Sequence, residues 1–462
     1  MNGFGESRRK FLKSAALTAA AMALPEMGFA DVKPNKRPNV LLFISDDHGT
    51  DDAGCYGHPV IKTPGMDALA RDGVRFTNSF CTTASCSPSR SVILTGLQNH
   101  ANGIYGLSPG KDHFQSFANI KSLPVMLASA GYRTANAGKF HTTPEQIYHY
   151  QQYIGERKDS PEEIADQCRS LIAADDPNPF FLSFCTIEPH RPFIRDGSAP
   201  VDPKDVVVPP WLPDIEASRD DLARYYMSIE REDKGLIRLM EILKQTGKLD
   251  NTLIIYISDN GSPFPGAKTT LYEPGMRLPC VVRAPGQKKT GIVNNALISW
   301  TDITPTILDF AEATPAKAAF HGRSLRPILD QTDPPGWDEI YASHTFHEVT
   351  MYYPMRVIRT RRYKLIWNIA HQLEFPTASD LWICRTWNAV RTRKLKTYGQ
   401  RTVDAYLHRP EFELYDLQTD PWEAKNLAAD PAQATLLNEL KTKLKTFQEN
   451  TKDPWLVKWT HE

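Results

Sequence analysis

The sequence contains no Cys-x-x-Cys pair. Its seven cysteines are scattered, so the ligand spacing of a structural zinc site is missing. It has no charge imbalance either: lysine plus arginine and aspartate plus glutamate both number 54, which argues against a nucleic-acid partner or a polybasic contact with a membrane. Any anion the protein binds must therefore be held by a local cluster of cations. Long apolar runs are also lacking near the N-terminus, where the stretch from Ala15 to Leu24 is about half the ~20 residues a membrane-spanning helix needs.

That short run belongs to a processing segment. Ser7-Arg8-Arg9-Lys10-Phe11-Leu12-Lys13 precedes it, and Gly28-Phe29-Ala30 offers small residues for cleavage. Residues 1–30 read as a twin-arginine signal peptide, which predicts the twin-arginine export machinery as a partner and a periplasmic or extracellular mature protein. Export would permit disulfides among Cys55, Cys81, Cys168, Cys185, Cys280 and Cys384, with the pairing left open. The remaining chain suggests two or three domains at roughly 150 residues each.

The chemistry concentrates at Cys86-Ser87-Pro88-Ser89-Arg90, which continues through Ser91 to Leu94 into Thr95-Gly96. Proline suits a first helical turn, where its missing N–H would be unpaired anyway, so a helix is expected from Ser87 or Pro88. Cys86 then lies at the positive end of the helix dipole, and Arg90 lies one turn further on the same face with a planar fork suited to oxyanions. The alternative is a buried cysteine on an amphipathic helix.

Other polar groups fall at strand ends. Val40 to Ile44 is an unbroken apolar run of the kind buried on both faces, and it ends in Ser45-Asp46-Asp47. Leu253 to Ile257 is a second such run, ending in Ser258-Asp259-Asn260-Gly261. Together the two ends offer four oxygen-bearing ligands, a set that suits calcium or magnesium, with water or substrate completing the shell. A strand from Tyr132 to Ala137 delivers Lys139 and His141, and one from Pro179 to Ile187 ends in Glu188-Pro189-His190. Lys268 follows in the loop after Pro263 to Gly266 as a further cation.

Between these strands come a helix from Thr63-Pro64, one capped by Ser122, one opened by the capping box Ser160-Pro161-Glu162-Glu163 and running to about Ala174, and a long one from about Asp220 to Thr246. Alternating strands and helices predict an α/β fold with a large, mostly parallel sheet sandwiched by helices over residues 38–335. Residues 336–462 predict a smaller antiparallel sheet with one helix, including a hairpin of Met355 to Ile358 and Tyr363 to Trp367 in which Arg359 to Arg362 form a charged turn.

The string from Cys86 to Gly96 resembles the sulfatase motif, and the resemblance to sulfatases of the alkaline phosphatase superfamily extends over essentially the whole mature chain. It narrows at Ser258 to Pro265 with Leu271-Tyr272, and at His347-Glu348-Val349-Thr350-Met351-Tyr352-Tyr353-Pro354-Met355-Arg356, which look like the N-sulfoglucosamine sulfohydrolase (sulfamidase, heparan N-sulfatase) branch. The resemblance implies that Cys86 is oxidised to formylglycine by a maturation enzyme. It also implies that Asp46, Asp47, Asp259, Asn260 and residue 86 face a calcium ion, and that Arg90, Lys139, His141, His190 and Lys268 surround the sulfate. One departure is Lys268, where the sulfamidase pattern has arginine.

The implied substrate is N-sulfoglucosamine in heparan sulfate or heparin saccharides, with His190 as the acid for the departing amine and His141 as the base that expels sulfate. His347, Glu348 and Arg356 are the residues expected to recognise the sugar. Three alternatives stay open: a carbohydrate O-sulfatase acting, for example, on the 6-position of glucosamine; a phosphonate or phosphate ester hydrolase; and a non-catalytic glycan-binding protein with unconverted Cys86. A homodimer follows from family analogy alone.

Overall fold

Strand β1 (Asn39–Ser45) carries seven consecutive buried residues and runs through the middle of the molecule. Its side chains alternate between two separate cores: Val40, Leu42 and Ile44 pack on one side, Leu41 and Phe43 on the other. That is the period-two consequence of a strand covered on both faces. The computed structural model of the chain describes residues 37–461 except 109, 157, 194–200 and 318. The segment read as a signal peptide, 1–30, lies outside the described residues.

The large sheet comprises β1, β2 (Val74–Phe80), β3 (Arg133–Gly138), β4 (Gln152–Ile154), β5 (Phe180–Cys185), β6 (Thr252–Ser258), β7 (Cys280–Arg283) and β8 (Ile292–Ser299). Their order is β4-β3-β5-β1-β6-β7-β2-β8. All neighbours are parallel except β7, which is antiparallel to both β6 and β2. The predicted mostly parallel α/β sheet is therefore present.

Register matters more for function than strand count. Strands β1 and β6 pair from Asn39 with Thr252 to Ser45 with Ser258, so Asp46-Asp47 and Asp259-Asn260 emerge side by side. Pairing of β3 with β5 sets Gly138 beside Cys185, which carries Lys139 and His141 to the same edge as His190. Open α/β sheets place ligands at such carboxyl ends.

The helix Glu216–Gln245 covers one face and buries Leu222, Tyr225, Ile229, Leu236, Leu239 and Leu243, the apolar positions read as core. The capping box at Ser160 and Glu163 is formed, but the helix behind it is two pieces, Pro161–Gln167 and Arg169–Ala173, meeting at Cys168. All seven cysteines are free. Among the described residues no helix is long and apolar enough to cross a membrane.

A second, antiparallel sheet contains β9 (Glu339–His344), β10 (Met355–Thr360) and β11 (Tyr363–Asn368). A two-stranded ribbon, β12 (Thr397–Tyr398) with β13 (Arg401–Thr402), precedes its last strand, β14 (Phe412–Asp416). The order is β14-β11-β10-β9, and the helix Ala434–Thr451 packs Leu440 and Leu444 against Ile358, Leu365 and Leu414. The sheet is keyed to the larger one through Ser343, whose N–H donates to the Thr82 carbonyl at 2.7 Å. One expectation is corrected here: Arg359 is not part of a charged turn but a buried member of β10, 3.5 Å from Glu273. Only Arg361 and Arg362 occupy the turn.

Candidate active site

Three carboxylates and one sulfur converge where β1, β6 and the Cys86 helix meet. Ligand atoms of Asp46, Asp47, Asp259 and Cys86 all lie within 4.8 Å of one another. Asp47 is turned by a left-handed backbone (φ 74°), a conformation costing about 1–2 kcal/mol in a residue with a side chain. Its Oδ1 accepts from Asn260 Nδ2 at 2.6 Å, and its N–H donates to Asp259 Oδ1 at 3.2 Å.

With its amide nitrogen committed, Asn260 leaves Oδ1 buried and without a hydrogen-bond partner among the described residues. Burial pushes the carboxyls of Asp47 and Asp259 up to about 6, against the pull of Lys268 on the first and of Arg90 on the second. Burial also works against ionised Asp46, yet Lys139, His190, Arg90 and Lys268 together hold it well below the usual carboxylate range. An orphaned carbonyl oxygen among crowded carboxylates is a donor set that fits a hard cation.

Cys86 opens the helix Cys86–Thr95, which therefore begins one or two residues before the expected start at Ser87 or Pro88. Ser85 supplies the extended residue before it, and Gly96 ends it in the left-handed region at φ 66°. The whole helix is buried. Cys86 Sγ is 3.5 Å from Asp46 Oδ1. Burial pushes the Cys86 thiol well above its ordinary value, so the helix dipole does not make it a thiolate. Arg90, one turn on, donates Nε–H to Asp259 Oδ2 at 2.8 Å, and its buried Nη2, 4.0 Å from Asp46 Oδ1, has no hydrogen-bond partner among the described residues.

The remaining cations ring this centre. Lys139 Nζ is 2.6 Å from Asp46 Oδ2, and Lys268 Nζ is 2.9 Å from Asp47 Oδ2. His190 directs Nδ1 at the Arg191 carbonyl and holds Nε2 3.8 Å from both Asp47 and Asp380. Burial, then Lys268, lowers His190 to about 4; burial, then Lys139 and Arg90, lowers His141 well below its usual value. Both imidazoles are therefore neutral at neutral pH.

A cavity of about 480 Å³ opens onto these groups, lined by Cys86, Lys139, His141, His190, Lys268, His347 and Glu348. His347 is held through Nδ1 by Ser85 Oγ at 2.8 Å, so the residue preceding Cys86 also fixes part of the cavity wall. Five lining residues were not anticipated: Leu107, Gly138, Phe140, Ser379 and Asp380. A separate cleft of about 560 Å³, bordered by Asp51, His58, Arg277 and Trp422, holds none of the predicted catalytic residues.

Arg356 is not brought to the cavity. It is buried in β10 with its guanidinium on Asp453, Nη2 lying 2.9 Å from Oδ1, and with Nη1 on the Met355 carbonyl. His347 and Glu348, in the loop before β10, line the cavity whereas Arg356 within β10 does not, so its assignment to sugar recognition is corrected to an internal ion pair.

Fold and site together define an enzyme of sulfate-bond hydrolysis, and the chain belongs to the sulfatase family, whose profile matches residues 38–313. A second profile, N-sulphoglucosamine sulphohydrolase, C-terminal, matches residues 267–382. Within the family the chain is similar to human N-sulphoglucosamine sulphohydrolase, with 37% identity over 96% of this chain and 95% of that protein. It is 25% identical to an N-acetylglucosamine-6-O-sulfatase of Bacteroides thetaiotaomicron over 96% of this chain and 91% of the relative. Among solved structures, a protein in complex with its substrate D-glucosamine-2-N,6-O-disulfate shares the fold at TM-score 0.68 and 23% identity, covering 90% of this chain and 98% of that one. The phosphonate monoester hydrolase of Agrobacterium radiobacter does so at TM-score 0.70 and 22% identity, covering 90% and 96%.

Proposed function

We propose that the protein is a formylglycine- and calcium-dependent sulfatase that hydrolyses the N-sulfate of N-sulfoglucosamine in heparan sulfate or heparin saccharides. The observation that carries this reading is the pocket's far wall. Lys268, His347, Glu348, Ser379 and Asp380 all line the cavity, and all lie within the 267–382 match to the N-sulphoglucosamine sulphohydrolase C-terminal profile. Catalytic machinery common to sulfatases does not distinguish substrates, so residues facing the sugar carry the argument for N-sulfate.

Asp46, Asp47, Asp259 and Asn260 Oδ1 would hold the calcium ion, which supplies polarisation of a sulfuryl oxygen. Conversion of Cys86 to formylglycine would supply a hydrated aldehyde, with one hydroxyl to attack sulfur and a second whose deprotonation lets sulfate leave. A neutral, buried thiol offers neither, which is a physical reason for the conversion. Lys139 and Lys268 offset charge on the sulfuryl oxygens, and Arg90, whose Nη2 lies 4.0 Å from Asp46 Oδ1, adds its charge beside the carboxylate cluster.

His141 is neutral and can take a proton. His190 must give one to the leaving nitrogen; an anionic substrate beside it raises its proton affinity against the burial that lowers it, so it is charged in the complex rather than before.

A second reading, hydrolysis of a 6-O-sulfate, is favoured by the 6-O-sulfatase relative and by lysine rather than arginine at position 268. Rates of sulfate release from N-sulfated and 6-O-sulfated glucosamine decide between them. Faster release from the N-sulfated sugar supports the proposal; release from the 6-O-sulfated sugar alone overturns it. Residues 1–30 support export by the twin-arginine route, which carries folded proteins, so that conversion of Cys86 would precede export. Recovery of the protein only in the cytoplasm would contradict this.

A further inference from the structure

We propose that Asp380 is a positioning residue for Lys268, and that Glu348 holds Asp380 in place. The proposal rests on the reading of Lys268 as a cation at the sulfuryl group. Lys268 Nζ lies 2.9 Å from Asp47 Oδ2 and 2.9 Å from Asp380 Oδ2. A lysine ammonium is a point charge on a flexible stem with three donors, whereas an arginine fork carries its own direction. Two carboxylates occupy two donors of Lys268 and leave one for an oxygen in the cavity. Without Asp380, the ammonium is held by Asp47 alone and is drawn towards the carboxylate cluster.

Asp380 is itself fixed. Its Oδ1 accepts the Leu381 N–H at 2.9 Å. The preceding residue, Ser379, donates both its N–H, at 3.1 Å, and its hydroxyl to Glu348 Oε1. A continuous set of contacts thus runs from Glu348 through Ser379 and Asp380 to Lys268, joining two segments 31 residues apart in the chain. Asp380 does not meet the sulfate as a bare anion, because Lys268 and the Nε2 of His190, 3.8 Å away, both face it. On this account Glu348 acts on the reaction through Asp380, and Asp380 supplies the orientation that an arginine at position 268 would bring by itself.

The test is a double-mutant cycle between Asp380→Ala and Lys268→Met. It is read in kcat/KM on whichever sulfated glucosamine the wild-type protein turns over, and in the rise of Tm caused by inorganic sulfate. Asp380→Ala should lower kcat/KM by roughly 10- to 100-fold and at least halve the sulfate-induced rise, as expected for a displaced charge at a reacting centre. In the Lys268→Met background the same change should cost less than about 3-fold, because coupled residues are not additive. Asp380→Asn, which keeps an acceptor oxygen, should fall between. Equal losses in both backgrounds, or no loss in the wild-type background, would overturn the proposal. Should Asp380→Ala not fold, Glu348→Ala in the same cycle carries the test with the same outcomes. Turnover of the 6-O-sulfated sugar alone would overturn the N-sulfate reading and leave this cycle readable.

Discussion

Asn260 gives its amide nitrogen to Asp47 at 2.6 Å and keeps its carbonyl oxygen buried without a partner. An unpaired buried acceptor costs about 1–3 kcal/mol, so the arrangement is understandable as part of a cation site. Chelation should abolish activity and added calcium should restore it. Asn260→Ala should raise the calcium concentration needed for half activity by roughly 10- to 100-fold. Measurement of activity against free calcium for both proteins checks this; identical titrations would remove Asn260 from the ligand set.

Arg356 and Asp453 should matter to stability and not to substrate affinity. Burial works against the Asp453 carboxylate, but Arg356 outweighs it and holds the pKa at about 2 rather than 3.8. A depressed folded-state value means the stabilisation is fully present above the unfolded value near 4 and is lost as pH falls through about 2. The stake is on the order of 2 kcal/mol. Urea unfolding at pH 6 and pH 2.5 should show Asp453→Asn less stable than wild type at the higher pH, with the gap narrowing at the lower. Among folded Arg356→Ala molecules, KM should stay within about 2-fold of wild type.

His347 is tied to the start of the Cys86 helix through Ser85, at 2.8 Å. Removing the ring by His347→Ala should raise KM by roughly tenfold, about 1.4 kcal/mol, because it lines the cavity shared with Lys139 and Lys268. Ser85→Ala leaves the ring in place but free to turn, and should produce a smaller change in the same direction. Steady-state kinetics on both variants check the order; unchanged KM for His347→Ala would place that residue outside recognition.

Much of the centre was legible because buried parallel strands announce themselves as unbroken apolar runs. Asp46, Asp47, Asp259, Asn260 and His190 each follow such a run, Lys139 and His141 follow the mixed strand β3, and the strand register brings them together. Lys268 and Cys86 were legible from their loop and motif. Asp380 was not: it lies in a four-residue helix with no periodic pattern, and only the folded contacts to Lys268 and Glu348 give it meaning. Arg356 and Arg359 were misread for a related reason. A charged residue in a strand reads as exposed until a buried partner, here Asp453 or Glu273, is placed beside it. Strand β9 carried too weak an alternation to be seen alone.

The central claim is that Cys86 is the precursor of the catalytic group rather than the group itself. Its most direct test is mass spectrometry of the peptide containing residue 86, taken from several preparations of protein purified from the native host, each also assayed for sulfate release from N-sulfoglucosamine. Specific activity should rise in proportion to the fraction of residue 86 converted to the aldehyde. Full activity in protein whose Cys86 is entirely unmodified would contradict it.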